Sequence, residues 1–288
     1  MKILLFGCDG QLGTDLQDSL AGIAELSAYG LADLDITDFD RLQQVIDDEH
    51  PGLIINAAAY TAVDKAESEP ELASMVNAEA PAVMAKKASE LQAGMIHYST
   101  DYVFDGTATE PYSVEDKPNP ESVFGSTKLE GERAVQENCS NSLILRTSWV
   151  YSLHGQNFLR TMLRLADQRD ELSIVGDQVG GPTTTRALAD ASLKLVQYYL
   201  VNGEFSDRVS GVYHMTCGGE TSWYEFAKAI FAAANNTAMR VVEITTEEYP
   251  TPAKRPAYSV LSNEKLFDAF GIRLPDWQSA LSQCMQEY

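Results

Sequence analysis

Short apolar runs alternate with amphipathic stretches through the first half of the chain. Lys2–Phe6 reads as a buried strand, and Gln11–Leu20 as a helix with Leu12, Leu16 and Leu20 on one face. Glu25–Tyr29 reads as a second strand. Thr37 or Asp38 then caps a helix carrying Phe39, Leu42, Val45 and Ile46. Leu53–Ile55, Met95–Tyr98 and Leu143–Leu145 follow as strands, separated by helices over Asn77–Leu91 and Phe124–Glu137. Strands separated by helical patterns predict parallel βαβ units, right-handed and doubly wound. Beyond about residue 150 the pattern loosens. Helices over Phe158–Ala166, Thr185–Tyr199 and Ser222–Ala234 alternate with strands Leu172–Val175 and Gly211–His214. The prolines at 250, 252 and 256 make that stretch a loop, and Pro275-Asp276-Trp277 opens a last helix. The expected architecture is an α/β Rossmann-type sheet over residues 1–150. A smaller substrate-binding lobe over 151–288 is expected to interleave with it.

Composition narrows the function classes. The 288 residues are enough for a large core, and 44% are apolar. Forty-two acidic against 21 basic side chains leave a net charge of −21, which argues against nucleic acid and anionic membranes as partners. An anion site must therefore be built locally. Cys8, Cys139, Cys217 and Cys284 lie far apart, without metal-ligand or disulfide-framework spacing, and no apolar run reaches membrane-spanning length. A cytoplasmic protein with free thiols is expected. The four histidines have no metal-ligand spacing and read as structural, and no G-x-S-x-G supports a hydrolase.

The chemistry gathers at strand ends. Gly7-x-x-Gly10-x-x-Gly13 follows the first strand and opens the first helix, where glycines let a pyrophosphate approach backbone N–H groups at the positive helix end. The usual acidic residue after strand two is absent. Tyr29-Gly30 stands there, followed by Asp33 and Asp35, and no arginine is close enough to grip a 2′-phosphate. NADH and NADPH therefore both stay open as the cofactor. Asn56-Ala57-Ala58-Ala59 ends strand three with small residues along which a cofactor could lie. Thr100 and Asp101 end strand four, at the carboxyl edge where open α/β sheets bind ligands. Phe124 and Lys128 are one helical turn apart and share a face, the spacing of a Tyr-x-x-x-Lys reductase pair with one oxygen missing. In that chemistry the lysine binds the nicotinamide ribose and lowers the phenol's pKa, while the phenol protonates a ketone oxygen.

Taken together, these motifs resemble the dTDP-4-dehydrorhamnose reductase family of extended short-chain dehydrogenases. The resemblance rests on Ile3–Gly7 with Gly10-Gln11-Leu12-Gly13, Leu34–Asp38, Asn56–Glu67 and Ser99–Phe104. It continues through Gly125, Thr127-Lys128, Gly131-Glu132, Arg146–Tyr151 and Thr251–Pro256, spanning nearly the whole chain in order. It implies NAD(P)H-dependent reduction of the C4 ketone of dTDP-4-dehydro-L-rhamnose. It also implies that Gly10, Gln11 and Leu12 hold the pyrophosphate and that Asp35 and Ile36 lie on the adenine side. Ala59, Tyr60 and Thr61 would lie along the cofactor and Lys128 on its ribose, with Thr100, Asp101 and Trp149 on the sugar nucleotide. Arg255 is added as a candidate partner for the substrate diphosphate. Some members carry carboxylates at the positions of Asp15 and Arg186 that serve a Mg²⁺-bridged dimer. Here one is a shorter acid and the other a cation, so no metal is assigned, and monomer and homodimer both stay open.

Phe124 departs from the family's tyrosine. One account is a site disabled by loss of a hydroxyl, and another is an enzyme drawing its proton from elsewhere, such as Tyr102. A third is a non-catalytic nucleotide-binding or regulatory subunit of the same fold. The expected activity is an impaired reductase with a dTDP-sugar substrate.

Overall fold

The computed structural model describes residues 1–205, 208–236 and 238–288. Six parallel strands form the central sheet: β1 (Lys2–Phe6), β2 (Glu25–Tyr29), β3 (Leu53–Asn56), β4 (Gly94–Thr100), β5 (Ser142–Thr147) and β6 (Gly211–His214). Their order is β6-β5-β4-β3-β1-β2. The direction of winding reverses between β1 and β3, so a crevice opens at the carboxyl ends of these two strands. All residues of β3, β4 and β5 are buried, which accounts for consecutive apolar residues at Leu53–Ile55, Met95–Ile96 and Leu143–Leu145 in place of an alternating pattern.

Period-two alternation along β1 sends Ile3 and Leu5 to one face, against Leu16 and Leu20 of helix Gln11–Leu20 and Leu188, Leu195 and Tyr199 of helix Thr185–Asn202. Leu4 and Phe6 point the other way, onto Leu42, Val45, Ile46 and Met84 of helices Phe39–Glu49 and Ala80–Glu90. Asp38 caps the first of these by accepting from the Arg41 amide at 3.1 Å. Helix Val123–Asn138 lies on the same side and carries Phe124 and Lys128.

Helix Thr185–Asn202 and β6 return from the second half to the main sheet, with Tyr213 opposite Leu145. The remaining second-half elements form their own core. Leu159, Met162, Phe226, Ile230, Trp277 and Leu281 from helices Phe158–Ala166, Trp223–Ala233 and Trp277–Gln286 pack together. Strand Glu171–Val175 pairs with Arg240–Ile244, not with the main sheet. Among the described residues, no helix is long and apolar enough to cross a membrane.

Candidate active site

Gly7 adopts φ +79° directly after β1, and any side chain there would meet the backbone of Ala57 and Ala58 at 2.6–2.8 Å. A side chain on Gly13 would collide with the backbone of Gly7 and Cys8. Two chain segments therefore close on the turn as only glycines allow. No side chain caps the helix that follows at Gly10, so the amides of Gln11, Leu12 and Gly13 stay available to an anion. The cradle fits the pyrophosphate of a dinucleotide. Loop 152–157 clamps it from above: Gln11 Oε1 accepts from Asn157 Nδ2 at 2.7 Å and Ser152 Oγ at 3.1 Å, and His154 Nε2 meets the Gln11 carbonyl at 2.9 Å.

The adenine side differs in detail from expectation. Ile36 is buried in the core, and the Asp35 carboxylate is engaged by the Thr37 hydroxyl at 2.7 Å and amide at 2.9 Å, which lower its pKa. Asp9 and Asp33, given no role from sequence, clasp the end of β2: Asp9 Oδ2 accepts from the Leu31 amide and Asp33 Oδ2 from the Gly30 amide, both at 3.0 Å. Two carboxylates thus flank the place where the adenosine ribose of a Rossmann cofactor lies.

Ala59, Tyr60 and Thr61 follow β3 at the switch point. The backbone of Tyr60 is held at both ends by buried Asn77, whose Oδ1 accepts from the Tyr60 amide at 2.8 Å and whose Nδ2 donates to the Tyr60 carbonyl at 3.2 Å. Asn77 also donates to Thr127 Oγ1 at 3.2 Å, joining this segment to the helix of Phe124. It sits in a wide π-type turn, Met75–Glu79, where sequence periodicity predicted only the start of a helix. Asn56 performs a similar task, accepting from the Ala58 amide and meeting buried His97 Nδ1, each at 3.1 Å. Burial, then the nearby Lys128 charge, push His97 well below its ordinary pKa and keep it neutral.

Lys128 is 2% exposed, and its ammonium donates to the Tyr98 carbonyl of β4 at 2.7 Å. Burial lowers its pKa to about 8, with the Glu132 charge acting in the opposite direction. Glu132 in turn makes a two-pronged pair with Arg146 at 2.7 and 2.9 Å and accepts from Ser99, pinning the lysine helix to β4 and β5. Phe124 is 7% exposed, packed with Ala66 and Ala73 and edge-on to Tyr102 at 5.4 Å between ring centroids. Its ring is thus a filled apolar position beside the strand end.

At that strand end Thr100 Oγ1 donates to Asp101 Oδ1 at 3.0 Å and accepts from the Tyr102 amide at 3.2 Å. Arg255 reaches the same neighbourhood, its guanidinium 6.0 Å from the centre of the Tyr102 ring. One arm is already engaged, since Nη2 donates to Asp64 Oδ2 at 2.8 Å, while buried Nη1 has no partner. Trp149 stands apart, stacked on Trp223 at 3.4 Å with φ +45°, a conformation non-glycine residues rarely adopt. The structure therefore gathers Tyr60, Tyr102, Phe124, Asp64 and Arg255 around one crevice wall, with Thr100 and Asp101 at the end of β4 and Lys128 reaching that strand from its helix. Asp35, Ile36 and Trp149 lie outside that cluster.

The chain matches the model of the RmlD substrate binding domain over residues 1–288. The dTDP-4-dehydrorhamnose reductase of Burkholderia thailandensis is 45% identical over 294 aligned positions, covering 100% of this chain and 99% of the relative. The chain belongs to the dTDP-4-dehydrorhamnose reductase family. This is a family of NAD(P)H-dependent oxidoreductases with a Rossmann fold. The crystal structure of a dTDP-4-dehydrorhamnose reductase from Clostridium acetobutylicum superposes with a TM-score of 0.93 at 41% identity, covering 100% of this chain and 99% of that one. The reductase of Bacillus anthracis, solved in complex with NADP, superposes at 0.91 with 36% identity and coverages of 100% and 99%.

A cavity of about 530 Å³ meets the candidate site only through Ser152 and His154 of the loop over Gln11; Asp15, Arg186, Asp190, Lys194 and Arg273 are among its other walls. Among the described residues no group of three His, Cys, Asp or Glu side chains could hold a metal ion.

Proposed function

We propose that this chain reduces the C4 ketone of dTDP-4-dehydro-L-rhamnose in the cytoplasm, as a monomer or homodimer, and that Phe124 makes it slow. The observation that carries the reading is Lys128: a buried ammonium bonded to the Tyr98 carbonyl of β4, the strand that ends at Thr100. Gly10, Gln11, Leu12 and Gly13 would hold the pyrophosphate, Ala59, Tyr60 and Thr61 would line the cofactor, and Lys128 would bind its ribose. We assign cofactor binding chiefly to residues 1–150 and substrate binding chiefly to 151–288. The bound nicotinamide supplies a hydride with its electron pair. The chain's own task is to hold the ketone against Thr100 and to deliver a proton to its oxygen. Trp149 and Arg255 serve the sugar nucleotide, Arg255 exchanging part of its contact with Asp64 for the diphosphate.

The test follows NAD(P)H absorbance with a dTDP-4-keto-6-deoxy sugar, using this chain and Phe124→Tyr. Restoring a general acid should raise kcat by about 10²–10⁴. The dissociation constants of NADPH and dTDP, measured by calorimetry, should stay within about threefold, because the change acts on proton transfer and not on binding. Absence of turnover by both forms would replace this reading with a non-catalytic binding subunit.

A further inference from the structure

A ketone reduction needs a proton as well as a hydride, and position 124 offers none. A hydroxyl and a carboxyl at the end of β4, Thr100 and Asp101, form a pair that could move one. Thr100 Oγ1 and Asp101 Oδ1 are 3.0 Å apart, and the Tyr102 amide donates to the same hydroxyl at 3.2 Å. Asp101 is 2% exposed, and its Oδ2 is buried without a well-formed hydrogen bond, the Ser259 hydroxyl facing the carboxyl from the second half of the chain. A buried carboxylate ordinarily collects donors on both oxygens; one bare oxygen is the pattern of the neutral acid, with the proton on Oδ1 in the 3.0 Å contact with Thr100 and Oδ2 an uncharged carbonyl oxygen.

We propose that Thr100 is the proton donor to the substrate carbonyl oxygen in this chain and that Asp101 restores the Thr100 proton. The inference rests on the reductase reading above. As the hydride reaches the ketone carbon, the Thr100 Oγ–H bond breaks and an O–H bond forms on the substrate oxygen. The Asp101 O–H bond breaks as a new Oγ–H bond forms. Asp101 is left as a carboxylate and regains a proton from water through the same hydroxyl once product has left. The Tyr102 amide steadies the negative charge that builds on Thr100 Oγ during the exchange. Asp101 touches no reacting atom and works through Thr100.

Burial raises the Asp101 pKa to about 6, with the Ser259 and Thr100 hydroxyls acting against it. The groups facing this carboxyl are those two hydroxyls, the amides of residues 101 and 102, and the Tyr102 phenol. Arg255, paired with Asp64, stands by the Tyr102 ring. The acid form is therefore present below pH about 6 and lost above it. Activity should be highest at acid pH in this chain, where a tyrosine at 124 would remove that limit.

The experiment measures kcat and KM from pH 5 to 8.5 for the full chain, Phe124→Tyr, Asp101→Asn and the double variant. The wild-type kcat should fall about tenfold per pH unit above the break, while Phe124→Tyr stays nearly level. Asp101→Asn should lower kcat about 10²-fold at pH 5.5 and erase the break, with KM within about threefold. In the Phe124→Tyr background the same change should alter kcat less than about threefold. Ser259→Ala should move the break upward, which keeps the test open if Asp101→Asn folds poorly. A readout without cofactor or turnover is the infrared carbonyl band of protonated Asp101, found as the difference between wild type and Asp101→Asn. That band should be present at pH 5 and gone by pH 7.5. A level wild-type profile, an Asp101 already ionised at pH 5, or loss of activity in Tyr102→Phe but not Asp101→Asn would each overturn the proposal. Turnover by Phe124→Tyr with none by wild type at any pH would overturn it while leaving the reductase reading intact. Inactivity of both would remove that reading too.

Discussion

Replacing Lys128 by Met should make the protein more stable at pH 7 while removing its hold on the cofactor. The lysine's pKa falls from 10.5 to about 8 because burial disfavours its charge. At 1.36 kcal/mol per pH unit, that drop means the folded state carries about 3 kcal/mol of cost for the buried ammonium. The sign follows from the direction. Below pH 8 both folded and unfolded chains carry the charge and the cost is full. Between about 8 and 10.5 the folded chain sheds its proton first and the cost shrinks; above 10.5 it is gone. Methionine fills similar space without charge, but it leaves the Tyr98 carbonyl without the 2.7 Å bond from Nζ, a loss of about 1 kcal/mol. The net gain is about 2 kcal/mol at pH 7, or roughly 4–8 °C in Tm. Urea unfolding at pH 7 and pH 10 checks it, with NADPH calorimetry beside it. Lower stability of Lys128→Met at pH 7, or an equal gain at both pH values, would refute the reasoning.

Three other changes probe the frame around that lysine. Glu132→Ala should cost about 3–5 kcal/mol in urea unfolding, because it leaves buried Arg146 charged and unpaired. Gly13→Ala forces a side chain into the Gly7 backbone, and calorimetry should find NADPH affinity reduced at least about tenfold. Arg255→Ala should raise KM for the sugar nucleotide about tenfold with little change in kcat, a split that marks loss of uniform binding in steady-state kinetics.

Much of the sheet was legible because its signals are local. Lys2–Phe6, Glu25–Tyr29 and Gly211–His214 appear with the predicted bounds, and the other three strands extend the predicted runs by one to three residues. Those extensions matter: β4 includes Ser99 and Thr100, so the candidate proton donor stands at the strand end itself. Strand Arg240–Ile244 was not anticipated, since only its partner Glu171–Val175 carried a readable pattern. The site was less legible where it depends on partners far apart in sequence. Nothing local announces that Arg255 meets Asp64, that Trp149 stacks on Trp223, or that Asn77 clasps Tyr60. Asn77 had one faint mark, a polar residue at the head of an Ala-rich helix. Asp9 and Asp33 read as ordinary loop acids until the glycine turn folds back against the end of β2.

Lys128 and Asp101 each cost the fold stability, for different reasons, and that separates two questions usually asked together. The Tyr98 carbonyl and the Glu132 charge offset the ammonium only in part, so its retention speaks for a bound ribose and not for proton transfer. Asp101 carries a carboxyl with one bare buried oxygen, which helps no cofactor contact but suits an acid beside a hydroxyl. Phe124, by contrast, costs nothing: its ring fills an apolar position with Ala66, Ala73 and Tyr102 and leaves no polar group stranded. The missing phenol therefore leaves a packed wall and not a defect in the fold. Lys128→Met should then silence binding, and Asp101→Asn should silence proton supply while binding persists. A protein that only stored nucleotide would respond to the first change and ignore the second.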